Sequence, residues 1–263
     1  MIPRPHIAKW QDYAAWKQFY QVEQDLVISR ALVEIFSDEF LRENLAFRGG
    51  TALHKLYLNP APRYSEDIDL VQIKPGPIKP IMQRIDEVIT FFEEPRKTQV
   101  KGHGAKVLYR FTSEYEEIRL RLKLEINCKE HFNVLDWVDF PFEVKSEWFS
   151  GKVEIRTYNI NELLGTKLRV LYQRSKGRDL FDLDYSRLKM GLDLDQIIEC
   201  FQEYTTFATG NRPPGKKEFL LNIDEKENDP NFTGDMEALL RSGIEYNQDA
   251  AFKWLKNRLI EKI

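Results

Sequence analysis

The sequence predicts an α+β fold, a mixed sheet with flanking helices in the N-terminal part followed by a helical C-terminal part. Three observations predict it. Residues 119–127, RLRLKLEIN, alternate strictly, with Leu120, Leu122, Leu124 and Ile126 on one face and Arg121, Lys123, Glu125 and Asn127 on the other. That is a period-two strand with one buried face. Apolar residues recur at helical spacing before the first strand-like run. After Asn159 the pattern turns helical, which places the boundary between a first part, residues 1–159, and a second, residues 160–263.

Taken in order, Ile7, Trp10, Tyr13, Ala14 and Phe19 predict a helix over 6–20, and Val22, Leu26, Ile28, Leu32, Val33 and Phe36 a clearer one over 22–37. Leu45–Phe47 reads as a short strand ending at Gly49-Gly50, with Thr51 as the N-cap of a helix from Ala52 to Tyr57. Asn59-Pro60-Ala61-Pro62 stops that helix. Ile68, Leu70 and Val71 mark a strand carrying Asp67 and Asp69. The prolines near residue 80 start a helix through about Phe92. Strands follow at Val107–Phe111, 119–127, Phe140–Val144 and Val153–Tyr158. Leu163, Leu164, Leu168 and Leu171 form the stripe of a helix that breaks at Gly177 and restarts with Asp179, Asp182 and Asp184. Residues 193–206 and 245–262 read as further helices, and 209–232 as loops around a short apolar piece, Phe219–Ile223.

With 263 residues, 42% of them hydrophobic and 31% charged, the chain is long enough to bury a sizeable core without staples. A net charge of −3 excludes a global basic field, so any nucleic-acid partner must meet a local patch. The densest one is Lys167, Arg169, Arg174, Lys176 and Arg178. Two distant cysteines, Cys128 and Cys200, show no metal-ligand pattern and read as free thiols. There is no signal-like apolar segment at the N-terminus and no run of about 18 apolar residues, so the expectation is a cytoplasmic protein with no membrane association. The absence of a heptad pattern leaves a monomer as the expectation.

The chemistry concentrates in 47–71, FRGGTALHKLYLNPAPRYSEDIDLV. Aspartates at i, i+2 in a strand project from one face. Two carboxylates crowded among apolar residues are costly unless a cation neutralises them, although such a pair also occurs as a solvated edge. Mg²⁺ (or Mn²⁺) suits them, taking few protein carboxylates and completing its shell with water and phosphate. Gly49, Gly50 and Thr51 let the backbone approach a phosphate at the start of a helix. Together these pieces suggest a site for a nucleoside triphosphate and its metal.

Phe47-Arg48-Gly49-Gly50-Thr51-Ala52-Leu53 followed by Arg63-Tyr64-Ser65-Glu66-Asp67-Ile68-Asp69-Leu70 resembles the AbiEii/AbiGii toxin family of the DNA polymerase β-like nucleotidyltransferase superfamily. Lys123-Leu124-Glu125 resembles the family's third motif, and Lys167, Arg174, Arg178, Asp179 and Asp182 its fourth. The resemblance implies a nucleotidyltransferase-like sheet and a toxin opposed by a cognate antitoxin. It also implies transfer of a nucleotidyl group from an NTP to an acceptor, which for some relatives is the 3′ end of tRNA. On that reading Asp67, Asp69, Lys167 and Asp182 are the catalytic candidates. Asp67, Asp69 and Glu125 are candidate metal ligands. Gly49, Gly50, Thr51, Ser65, Lys123, Arg174 and Arg178 are candidates for holding the nucleotide. Glu125 is equally a candidate base, or half of a cross-strand ion pair. Two other readings fit the residues alone: a nucleotide-binding regulatory module without transfer activity, and a metal-dependent phosphohydrolase or nuclease. Against the last, none of the four histidines sits in a ligand pattern.

Overall fold

The computed structural model describes residues 1–263, which fall into two compact units: Met1–Phe132 with Trp137–Tyr158, and Asn133–Asp136 with Asn159–Ile263.

The first unit is built on a seven-stranded mixed sheet. Its strands are β1 (Leu45–Arg48), β2 (Asp67–Gln72), β3 (Lys97–Lys101), β4 (Gly104–Thr112), β5 (Arg119–Asn127), β6 (Val138–Lys145) and β7 (Ser150–Thr157), in the spatial order β3-β4-β5-β2-β1-β7-β6. The β1–β7 and β2–β5 pairs are parallel, the rest antiparallel. Helix α1 spans Arg4–Trp10, α2 Phe19–Ser37 and α3 Glu39–Asn44. Asp38 caps α3 by accepting the Leu41 N–H at 3.0 Å. Helix α2 is buried along most of its length and packs on β5, β6 and β7, so the core lies between it and the sheet. The strict alternation expected in β5 is present: Leu122, Leu124 and Ile126 are buried while Arg121 is exposed.

Three local expectations need correction. The first helix ends at Trp10 rather than near residue 20, because residues 11–18 form turns before α2. Thr51 is not an N-cap. Helix α4 (Gly49–Ala52) already starts at Gly49, whose φ of 79° turns the chain straight from β1 into the helix, and a π-helical turn continues it from Leu53 to Tyr57. Helix α5 (Lys79–Val88) stops four residues before Phe92, because that ring is used elsewhere, stacked on Tyr109 at 4.8 Å.

The second unit is helical: α6 (Ile160–Gln173), α7 (Gly177–Lys189), α8 (Leu194–Thr209), α9 (Lys216–Glu227), α10 (Pro230–Thr233) and α11 (Gln248–Trp254). Asn159 caps α6, and the predicted break lies between Gln173 and Gly177. The stretch read as loops, 209–232, instead holds α9 and α10. Only Phe219, Ile223 and Lys226 of α9 are buried, a single helical stripe hidden among charges. Residues 133–136 join this unit as a strap. The fully buried Glu162 accepts the Val134 and Leu135 N–H groups at 2.8 and 2.9 Å and the Tyr204 hydroxyl at 2.6 Å. No helix is long and apolar enough to cross a membrane.

Candidate active site

In β2 the alternation turns Ile68 and Leu70 into the core and leaves Asp67 and Asp69 half-buried on the other face. Register does the rest. Asp67 lies beside Lys123 and Asp69 beside Glu125 across the parallel β2–β5 pair; Arg48 lies beside Asp69 across β1–β2; Lys106 lies beside Glu125 across β4–β5. Side chains abreast on neighbouring strands share a face. One sheet face therefore carries three carboxylates and three cations drawn from four strands.

Lys123 Nζ is 2.7 Å from Asp67 Oδ2 and 3.2 Å from Glu125 Oε1, and Lys106 Nζ is 2.7 Å from Glu125 Oε1. Burial alone pushes the Glu125 carboxyl up, but the two ammonium groups hold it below the usual carboxylate range. Burial likewise pulls the Lys123 ammonium down, and its hydrogen bonds to Asp67 and Glu125 more than offset this and raise it. Arg48 ion-pairs with Glu130 at 2.6 Å. Arg63 is buried, with its guanidinium donating to the Tyr64 carbonyl at 3.0 Å.

The Gly49-Gly50-Thr51 turn is fitted to Asp69. A Cβ on Gly49 would stand 2.2 Å from Asp69 Oδ2, so the carboxylate fills the space a side chain would take. The buried Thr51 hydroxyl donates to the Asp67 carbonyl at 2.5 Å and meets the Ser65 hydroxyl at 2.8 Å. Thr51 and Ser65 therefore tie the helix start to the first residue of β2. Both hydroxyls are engaged there.

Two carboxylates on one strand face offer hard oxygen donors and room for water and phosphate, a donor set that fits Mg²⁺ or Mn²⁺. No cluster of three or more His, Cys, Asp or Glu side chains could hold a metal ion, and Glu125 is occupied by two lysines. Glu125 thus sits between Lys106 and Lys123, the cross-strand ion pair that the sequence also allowed.

In the helical unit, Lys167 on α6 reaches Asp179 and Asp182 on α7 at 3.2 and 2.8 Å. Both aspartates are fully buried, and only about a tenth of the Lys167 side chain is exposed. Arg174 forks onto Asp179 at 2.8 and 3.0 Å, and Arg178 onto Asp235 at 3.0 Å through two nitrogens. The Asp235 carboxyl, pushed up by burial, is brought below its usual range by the Arg178 side chain and N–H. Two members of the basic patch, Lys167 and Arg169, are internal. Arg169 is buried and donates to the Tyr204 carbonyl, leaving Arg174, Lys176 and Arg178 as its outward members. Tyr158 is fully buried, with the Trp137 ring at 4.7 Å.

Sequence reasoning missed Lys106 and Glu130, whose roles come from register and from a contact 82 residues away in sequence. The alternation of β4 was the only available signal for Lys106.

Comparison with solved structures shows a shared fold. MenT4, a nucleotidyltransferase toxin from Mycobacterium tuberculosis H37Rv, is 17% identical, with a TM-score of 0.67 over 98% of this chain and 90% of that one. JHP933 from Helicobacter pylori is 18% identical, with a TM-score of 0.55 over 92% of each chain. A search of curated proteins by sequence gives no match. A family model described as nucleotidyl transferase AbiEii toxin, Type IV TA system, matches residues 30–258, and the chain belongs to this family of nucleotidyltransferase toxins.

Proposed function

We propose that the protein transfers a nucleotidyl group from a nucleoside triphosphate to an RNA acceptor, with Mg²⁺ or Mn²⁺ held by Asp67 and Asp69. The observation that carries this reading is the fit of Asp69 against Gly49, which joins a carboxylate pair to the Gly49-Gly50-Thr51 turn. A bound divalent ion supplies charge neutralisation and alignment of the phosphates. The chain's own residues do the rest. Asp67 and Asp69 hold and orient that charge. The backbone of Gly49, Gly50 and Thr51 offers N–H groups to the triphosphate. Lys123 adds a positive charge on the same face. The acceptor hydroxyl attacks the α-phosphorus in line and pyrophosphate leaves.

Lys167 and Asp182, with Arg174 and Arg178, are proposed to support the same reaction on the strength of the family motif. The buried ion pair of Lys167 and Asp182 makes positioning the role that fits those two. An RNA acceptor follows the family resemblance, and the family implies an opposing antitoxin.

The test is incubation of the purified protein with Mg²⁺, each α-³²P-labelled NTP and total cellular RNA, beside the Asp67→Ala/Asp69→Ala double variant. Wild type alone labels an RNA band. Label on protein would replace the acceptor, and a double variant as active as wild type would overturn the site.

A further inference from the structure

Lys123 occupies an unusual place. Its ammonium lies on Asp67, one of the two carboxylates assigned to the metal, and within reach of Glu125, which is not. We propose that Lys123 is a tethered counter-cation, which neutralises Asp67 until a divalent ion arrives and then shifts its charge onto Glu125 and the incoming phosphates. Glu125 is the seat that receives it, a positioning residue and not a metal ligand. The inference rests on the metal site proposed above.

Three features of the geometry carry it. The register sets Lys123 directly beside Asp67 and leaves Glu125 two residues along the same strand face, so one flexible side chain spans both carboxylates without backbone movement. The exposures of Lys123, Asp67 and Glu125 are 24%, 32% and 34%, so these are wet ion pairs that exchange at little cost. Lys106, at 2.7 Å, already shares the charge of Glu125 and anchors that carboxylate in place while Lys123 comes and goes. Lys123 offsets the Asp67 carboxylate on this face. A dication at the same carboxylates would in turn be repelled by Lys123 unless the ammonium moves. A triphosphate reverses the sign, because the relocated ammonium then attracts it.

The proposal predicts opposite effects on two ligands. In the absence of nucleotide, Lys123→Met should bind Mn²⁺ roughly fivefold or more tightly than wild type, since a repelling unit charge a few ångströms away is gone. The same variant should bind an NTP with Mn²⁺ present more weakly. Mn²⁺ is followed by the loss of its free-ion electron paramagnetic resonance signal, and NTP by calorimetry. Lys123→Gln, which keeps a polar side chain, should move both in the same directions, and thermal melts confirm that each variant is folded. Glu125→Gln should weaken Mn²⁺ binding, because Lys123 loses its second seat. The Lys123→Met/Glu125→Gln double variant should match Lys123→Met alone. Mn²⁺ affinity unchanged or lower in Lys123→Met overturns the counter-cation role. A double variant markedly weaker than Lys123→Met makes Glu125 a ligand and overturns its role as a seat. If Asp69→Asn keeps wild-type Mn²⁺ affinity, it is the metal site that fails, whatever Lys123 does.

Discussion

The substitution Gly49→Ala tests the link between the turn and the carboxylate pair. Two separate penalties apply. The φ of 79° places an alanine in the left-handed region, at a cost of about 1–2 kcal/mol. The new Cβ would meet Asp69 Oδ2 at 2.2 Å, so that side chain or the turn must move by more than an ångström, an overpacking cost of about 1–3 kcal/mol. Together these lower the melting temperature by roughly 5–15 °C for a unit of this size. The displacement of Asp69 matters more for the reaction, where a misplacement of that order costs about a hundredfold in rate. Gly102→Ala is the control. It also has a positive φ, 56°, but open space where its Cβ would go. It should lose about 1–2 kcal/mol and no transfer rate. Circular dichroism melts and nucleotide incorporation into RNA read both variants. Wild-type rate and melting in Gly49→Ala, or an equal loss of rate in Gly102→Ala, would refute the reasoning.

Other outcomes follow from the same contacts. Lys167→Met takes a cation away from the buried Asp182 and Asp179 and should destabilise by about 3–5 kcal/mol in a denaturant melt; the loss should shrink in an Asp182→Asn background, and full additivity would argue against the pair. Thr51→Val removes the donor to the Asp67 carbonyl and should cost about 1–3 kcal/mol, read as a lower midpoint in urea. Lys226 predicts a pH dependence. Burial pulls its ammonium down to about 8, although it donates to the Leu171 and Tyr172 carbonyls and to Asn222. Between pH 8 and the ordinary lysine range only the unfolded chain holds that proton, so this residue's contribution to stability rises with pH across the window. The difference in melting temperature between wild type and Lys226→Met, measured from pH 7 to 10, should therefore move in favour of wild type as pH rises.

What the sequence reveals here is local periodicity, and what it conceals is register. Alternation in 119–127 and the i, i+2 aspartates were legible because a strand's two faces differ in burial at every step. The pairing of Lys106 with Glu125 was not, because sliding β4 by one residue would have sent Lys106 to the other face. Strand β3 escaped notice because all its residues are exposed and nothing alternates. Helix α9 did so because one thin stripe, Phe219, Ile223 and Lys226, is all it buries. The inward half of the basic patch was hidden for a related reason. Lys167 and Arg174 meet Asp179 and Asp182 only after the chain reverses at Gly177, so charges that add up along the sequence cancel in the fold.

The strap at 133–136 bears on how this chain can be divided. The polypeptide leaves the sheet unit after Phe132, lends four residues to the helical unit, returns at Trp137 and crosses again after Tyr158. No single cut separates the two units. A fragment ending at Tyr158 would carry Val134 and Leu135 away from Glu162, and a fragment starting at Asn159 would strand that buried carboxylate with two of its donors gone. Neither unit is a portable cassette. Recombination, domain grafting or a split reporter placed at residue 159 would break these contacts to Glu162.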